Sequence, residues 1–286
     1  MAAASPIRAP RFADDGWYPA SAERLATTTA RLLGPRASLS TQVTAAVTPH
    51  AGWRYSGAVA GATFGGIVIP DRVVVVGPNH RGLGARRAID DAEAWAMPGG
   101  AVAIDAVAAD DLVAASSGWL VRDGLAHRFE HAIELAVPFL QACNPQVQLV
   151  PLSVSGLDLA GCVRLGELLA DRLRAWPGRT LLVASSDMNH FESAAVGNAK
   201  DRAAIERMLA CDARGLFDVV AQRDISMCGV LATTAVMTAA ARIGAARATL
   251  VRYQDSGDVS GDKSSVVGYA GLRFDCAPPS LLESTS

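Results

Sequence analysis

The chain has 286 residues, half of them hydrophobic and 6% aromatic, with a formal net charge of −2, which excludes a general nucleic-acid footprint. No apolar run approaches the roughly 18 residues of a membrane span, and the start Met-Ala-Ala-Ala-Ser-Pro lacks a secretory core, so a cytoplasmic protein is expected. Five cysteines (Cys143, Cys162, Cys211, Cys228 and Cys276) include no CxxC pair, against a disulfide framework or a zinc ribbon.

Residues 1–20 read as an irregular segment broken by Pro6, Pro10 and Pro19, with Trp17-Tyr18-Pro19 as its anchor. Ser21 can cap a helix to Leu33, which Gly34-Pro35 ends. The apolar run Val43–Pro49 reads as a strand ending at His50. A loop over residues 49–57 and a helix from Ala58 to Gly66 follow. Val73–Val76 reads as a buried strand that ends at Gly77-Pro78 and delivers Asn79 and His80. Arg81, Arg86 and Arg87 come next, either as a solvated loop or as an anion site.

Residues 88–104 predict two short strands turning at Pro98-Gly99-Gly100, and Asp105 a cap for the helix from Ala106 to Ser116. His127 to Leu140 reads as an apolar helix with Glu130 and Glu134 on one face. A strand over Val147–Val154 and an amphipathic helix over Leu157–Trp176 lead to Leu181–Ala184, a strand running into Ser185-Ser186-Asp187-Met188-Asn189-His190. Two or three helices cover 195–242, with Cys228-Gly229 just before the last of them. Arg247–Tyr253 and Ser265–Phe274 predict closing strands around an acidic turn at 255–262. No linker divides the chain, so residues 1–286 read as one domain with a flexible tail over 277–286.

Three strands each deliver a histidine to one rim, in a chain with only five histidines. In open α/β sheets ligands bind at the carboxyl ends of strands. Imidazole is the commonest transition-metal ligand, so His50 and His80 are the first candidate ligands. Asp187 would complete a two-histidine, one-carboxylate set for Fe(II), and Cys228 a softer set open to Fe, Cu or Zn. A helix dipole at Cys228 would favour its thiolate. Asp187 could instead orient His190 as an acid–base pair. Ser185-Ser186 lack the sharp nucleophile turn of a hydrolase, and no phosphate loop or dinucleotide fingerprint is present.

Pro49-His50-Ala51-Gly52, Gly77-Pro78-Asn79-His80, Glu130-His131 with Glu134, Ser185-Ser186-Asp187 with His190, Cys228-Gly229, Ser256-Gly257-Asp258 and Val267-Gly268-Tyr269-Ala270 occur in that order. Together they resemble the MEMO family, whose bacterial members are labelled AmmeMemoRadiSam system protein B. The resemblance implies a three-layer α/β/α sandwich similar to class III extradiol dioxygenases of the LigB type. It also implies a pocket of His50, His80, Asp187, His190 and Cys228, with the first two and Cys228 holding metal. Non-haem Fe(II) or Cu, with Zn as a further option, would support redox or dioxygenase-like activity on a small substrate, His190 and Asp187 being catalytic. The alternatives are a peptide- or partner-binding module on the same scaffold and a zinc hydrolase. The bacterial label further implies a radical SAM partner.

Overall fold

A computed structural model of the chain describes residues 7–36 and 39–276, so the tail expected from Ala277 lies outside the described residues. The amino-terminal stretch carries strand β1 (Ile7–Arg8) and one helical turn, α1 (Arg11–Asp14). Ser21 caps α2 (Ala22–Leu33) by accepting from the Arg24 N–H, and Gly34, at φ 65°, stops it. Strand β2 (Val43–Thr48) leads into α3 (Trp53–Gly65). This helix starts more than a turn before the expected Ala58. The Trp53 backbone N–H donates to the Trp17 carbonyl and its indole to the Leu135 carbonyl, so contacts with distant segments draw loop-like residues into the helix.

The valine run is β3 (Arg72–Pro78), followed by β4 (Arg87–Ile89) and the hairpin β5 (Ala94–Met97) and β6 (Gly100–Ala103). Asp105 caps α4 (Ala106–Ala115) through the Ala108 N–H. After β7 (Val121–Arg122) the expected continuous helix from His127 is broken in three: α5 (Leu125–Arg128), a single 3₁₀ turn at Glu134–Ala136, and α6 (Val137–Cys143). Glu130 therefore shares no helical face with Glu134. Its carboxylate accepts from the Ala132 N–H and bends the chain at that point.

The remainder follows the sequence closely: β8 (Gln148–Val154), α7 (Leu159–Ala175), β9 (Thr180–Ser185), β10 (His190–Glu192), α8 (Ala194–Leu209), α9 (Ala213–Gln222), α10 (Val230–Arg242), β11 (Ala245–Asp255), α11 (Gly257–Ser260) and β12 (Val266–Cys276). In the acidic turn Asp255 and Asp258 accept from each other's backbone N–H, and Lys263 bridges them.

The main sheet runs β10-β12-β2-β9-β3-β8-β4-β7, with β11 beside β12. Its centre, β2-β9-β3-β8, is parallel, so the carboxyl ends of β2, β3 and β9 share one rim. Helices cover both faces. Val74 and Val76 pack with Leu165 and Val236 on one side, and Val73 and Val75 with Phe64 and Phe139 on the other. This α/β sandwich explains why the central strands read as unbroken apolar runs. Each fully buried valine contributes about 1.5–3 kcal/mol relative to exposure. Among the described residues no helix is long and apolar enough to cross a membrane.

Candidate metal centre

The three strand ends meet as their spacing predicts. His50 follows β2 and is 1% exposed. Its backbone N–H donates to Asp187 Oδ1 at 2.8 Å, and its Nδ1 lies 2.8 Å from Ser185 Oγ at the end of β9. The Ser185 hydroxyl donates to the Ala132 carbonyl, so it must accept from His50 Nδ1–H. The lone pair of His50 is thereby left on Nε2. Burial, then the neighbouring His80, hold this imidazole down to about 3, which keeps it neutral.

His80 follows β3. Its backbone N–H and its Nδ1 both reach the buried Glu130 carboxylate, at 2.6 and 2.9 Å. A carboxylate at Nδ1 makes that nitrogen the donor and again leaves Nε2 free to ligate. Burial alone would raise Glu130, but hydrogen bonds from His80 and the Ala132 N–H outweigh it and bring the carboxyl to about 2.

Cys228 precedes α10. Its Sγ lies 3.2 Å from His50 Nε2 and accepts from the Asp187 N–H at 3.3 Å. Gly229 makes this approach possible, since a Cβ there would overlap the Ser185 carbonyl and the Ser186 side chain. The expected thiolate is corrected by the structure. Burial and the adjacent Asp187 push the thiol well above its ordinary range, and both outweigh the helix dipole. A bound cation would have to displace that proton.

Asp187 does not orient His190 by a hydrogen bond. Its Oδ1 accepts from the backbone N–H groups of His50 and Ala51, and burial raises its carboxyl. Ser226 holds His190 instead: its Oγ accepts from the His190 N–H at 2.7 Å and its carbonyl lies 2.8 Å from Nδ1. Ser185 and Ser186 are fully buried and bonded to backbone, so neither presents a nucleophile. Among the rim arginines, Arg87 stacks on Trp119 and donates to its carbonyl, and Arg81 donates to the Phe129 carbonyl.

The sequence reading missed His131 as a site residue, having placed it inside a helix. The turn after Glu130 swings it inward, where one ring nitrogen each of His50, His80 and His131 lie within 4.8 Å of one another. Its ring stacks on His80 at 4.6 Å and 15° and meets His50 edge-on at 5.1 Å. Phe12 and Trp17 pack around it. The Glu130-His131 pair in the motif series was the available signal.

A family model described as Memo-like protein matches residues 8–273. A MEMO1 family protein of Methanosarcina mazei is 36% identical over 258 residues, covering 90% of this chain and 95% of that protein. One from Methanopyrus kandleri is 40% identical over 232 residues, with 80% and 82% covered. Another, from Pyrobaculum aerophilum, is 36% identical over 249 residues, with 85% and 88% covered.

Proposed function

The chain belongs to the Memo-like protein family, and from the chemistry of its rim we propose that it is a metal-dependent oxidoreductase acting on a small substrate. His50, His80 and Cys228 would hold Fe(II) or Cu, with Zn as a further option. One observation carries this reading: both histidines are fixed in the tautomer that frees Nε2, with a sulfur already 3.2 Å from one of those nitrogens. Metal–nitrogen bonds of about 2.0–2.1 Å and a metal–sulfur bond of about 2.3 Å put tetrahedral ligand atoms roughly 3.5 Å apart, so the pair needs little movement. Two imidazoles and a thiolate form a set softer than the two-histidine, one-carboxylate triad.

Iron or copper held there would supply redox chemistry toward oxygen or the substrate, which zinc would not. The protein supplies the rest. Glu130 and Ser185 lock the two imidazoles and raise their basicity as ligands. The Ser226 carbonyl accepts a hydrogen bond from His190 Nδ1–H, which leaves Nε2 to accept or deliver a proton at the cleft. Asp187 steadies the backbone that carries His50.

Metal analysis of protein purified without oxygen tests this reading, beside a His80→Ala variant. The expected result is close to one equivalent of iron or copper in the wild type, lost in the variant together with oxygen consumption. Protein that takes up none of Fe²⁺, Cu⁺ or Zn²⁺ overturns it. A second reading, a peptide-binding module, draws support from Phe191, which is 77% exposed beside His190, and from the exposed Phe129 beside Glu130. Under that reading the metal-free protein retains its partner binding.

A further inference from the structure

Resting on the metal reading above, we propose that His131 is a further ligand of this centre, so that His50 and His80 are completed by a third imidazole as well as by the Cys228 thiolate. A ring nitrogen of His131 lies within 4.8 Å of those of both other histidines. Its Nδ1 is buried and makes no well-aligned hydrogen bond among the described residues, its nearest polar neighbour being the Glu130 carboxylate at 3.3 Å, already engaged by His80 and the Ala132 N–H. A buried imidazole nitrogen without a well-formed hydrogen bond is destabilising, and ligation of a metal ion by the ring offsets that cost.

The surroundings also hold the ring in place. The Glu130 carboxylate accepts from the Ala132 N–H and so forms the turn that carries His131. The Ala132 carbonyl receives the Ser185 hydroxyl, which ties that turn to the end of β9 and to His50. From the outside, Trp17 lies 4.8 Å and Phe12 5.6 Å from the His131 ring. These two rings come from an amino-terminal segment anchored by Glu134, which pairs with Arg8 at 2.6 Å and accepts from Tyr18 at 2.9 Å. The consequence is a donor set with two characters. Three imidazoles suit a borderline divalent cation such as Fe(II), Co(II) or Zn(II), while the thiolate sets softness and redox behaviour.

Anaerobic titration of Co²⁺ into the metal-free full chain separates the ligands, because only a bound thiolate adds sulfur-to-cobalt charge transfer to the d–d bands. The wild type is expected to take one equivalent and to show both. Cys228→Ser is expected to keep one equivalent and lose the charge-transfer band. His131→Gln keeps that band but binds on the order of 100-fold more weakly, since even loss of an outer partner of a metal ligand costs 10–100-fold. His131→Cys gives a second readout that needs no loss of affinity: a sulfur at a ligand position intensifies the charge-transfer band. Unchanged affinity in His131→Gln, or an unchanged band in a folded His131→Cys, overturns the proposal and leaves the metal reading standing. Wild-type protein that binds no cobalt overturns both.

Discussion

The His50 and His80 halves of the rim do the same thing by different means. His50 is sealed, with a side chain 2% exposed, and three residues hold it: Ser185 at Nδ1, Asp187 at the backbone and Cys228 at Nε2. His80 is 29% exposed, and one residue, Glu130, accepts from both its backbone N–H and its ring N–H. Many weak partners make the sealed half tolerant of losing any one of them. One strong partner makes the open half depend on a single carboxylate, in exchange for an imidazole that solvent or a substrate can reach.

The sharpest way to break this comparison is Glu130→Ala, which strands the His80 N–H, the His80 ring N–H and the Ala132 N–H together. The expected loss is about 3 kcal/mol in urea denaturation, with metal affinity lowered roughly 10–100-fold. A loss below about 1 kcal/mol would show that the open half does not lean on its carboxylate. Gly229→Ala attacks the sealed half through the backbone, because the added methyl meets the Ser185 carbonyl and the Ser186 side chain. It is expected to cost about 2 kcal/mol and to move Cys228 off the site, read as a lost sulfur-to-cobalt band.

Acid probes the imidazoles together. Burial holds His50 and His131 down to about 3. Between pH 6.5 and 3 the unfolded chain therefore binds protons that the folded metal-free protein refuses. Stability is complete above pH 6.5 and falls as the pH drops, by at most about 1.4 kcal/mol per pH unit for each imidazole. Glu130, held down to about 2, adds a loss of the same direction from about pH 4.5 downward. In melts across pH 3–7, His131→Gln should have the shallower slope. Equal slopes would mean that His131 is not buried neutral. Ser226→Ala should do least, about 0.5 kcal/mol, because the carbonyl that holds the His190 ring remains. Its metal affinity should match wild type while turnover drops, which places His190 outside the ligand set.

Much of this arrangement was legible beforehand. Val73–Val76 could only be a strand buried on both faces, and the ends of β2, β3 and β9 were marked by Pro49, Pro78 and the Ser185-Ser186 run. The caps at Ser21 and Asp105 were equally local, because a capping side chain bonds an N–H three residues away. The reading failed between His127 and Leu140. The apolar spacing suits a helix there, but Glu130 reaches His80, fifty residues back, and Glu134 reaches Arg8 and Tyr18. Those bonds break the helix and turn His131 into the site.

By itself, the sequence determined the strands, most helices, the family and the rim to which His50, His80 and His190 belong. β-branched runs, caps and turn residues act through neighbours in the chain, and their effects can be read in order. Only the tertiary structure decided who holds whom: Ser226 rather than Asp187 on His190, burial over the helix dipole at Cys228, and His131 beside His50 and His80. Those outcomes depend on side chains that meet across a fold. There, desolvation and a few directed hydrogen bonds outweigh any preference the local sequence carries.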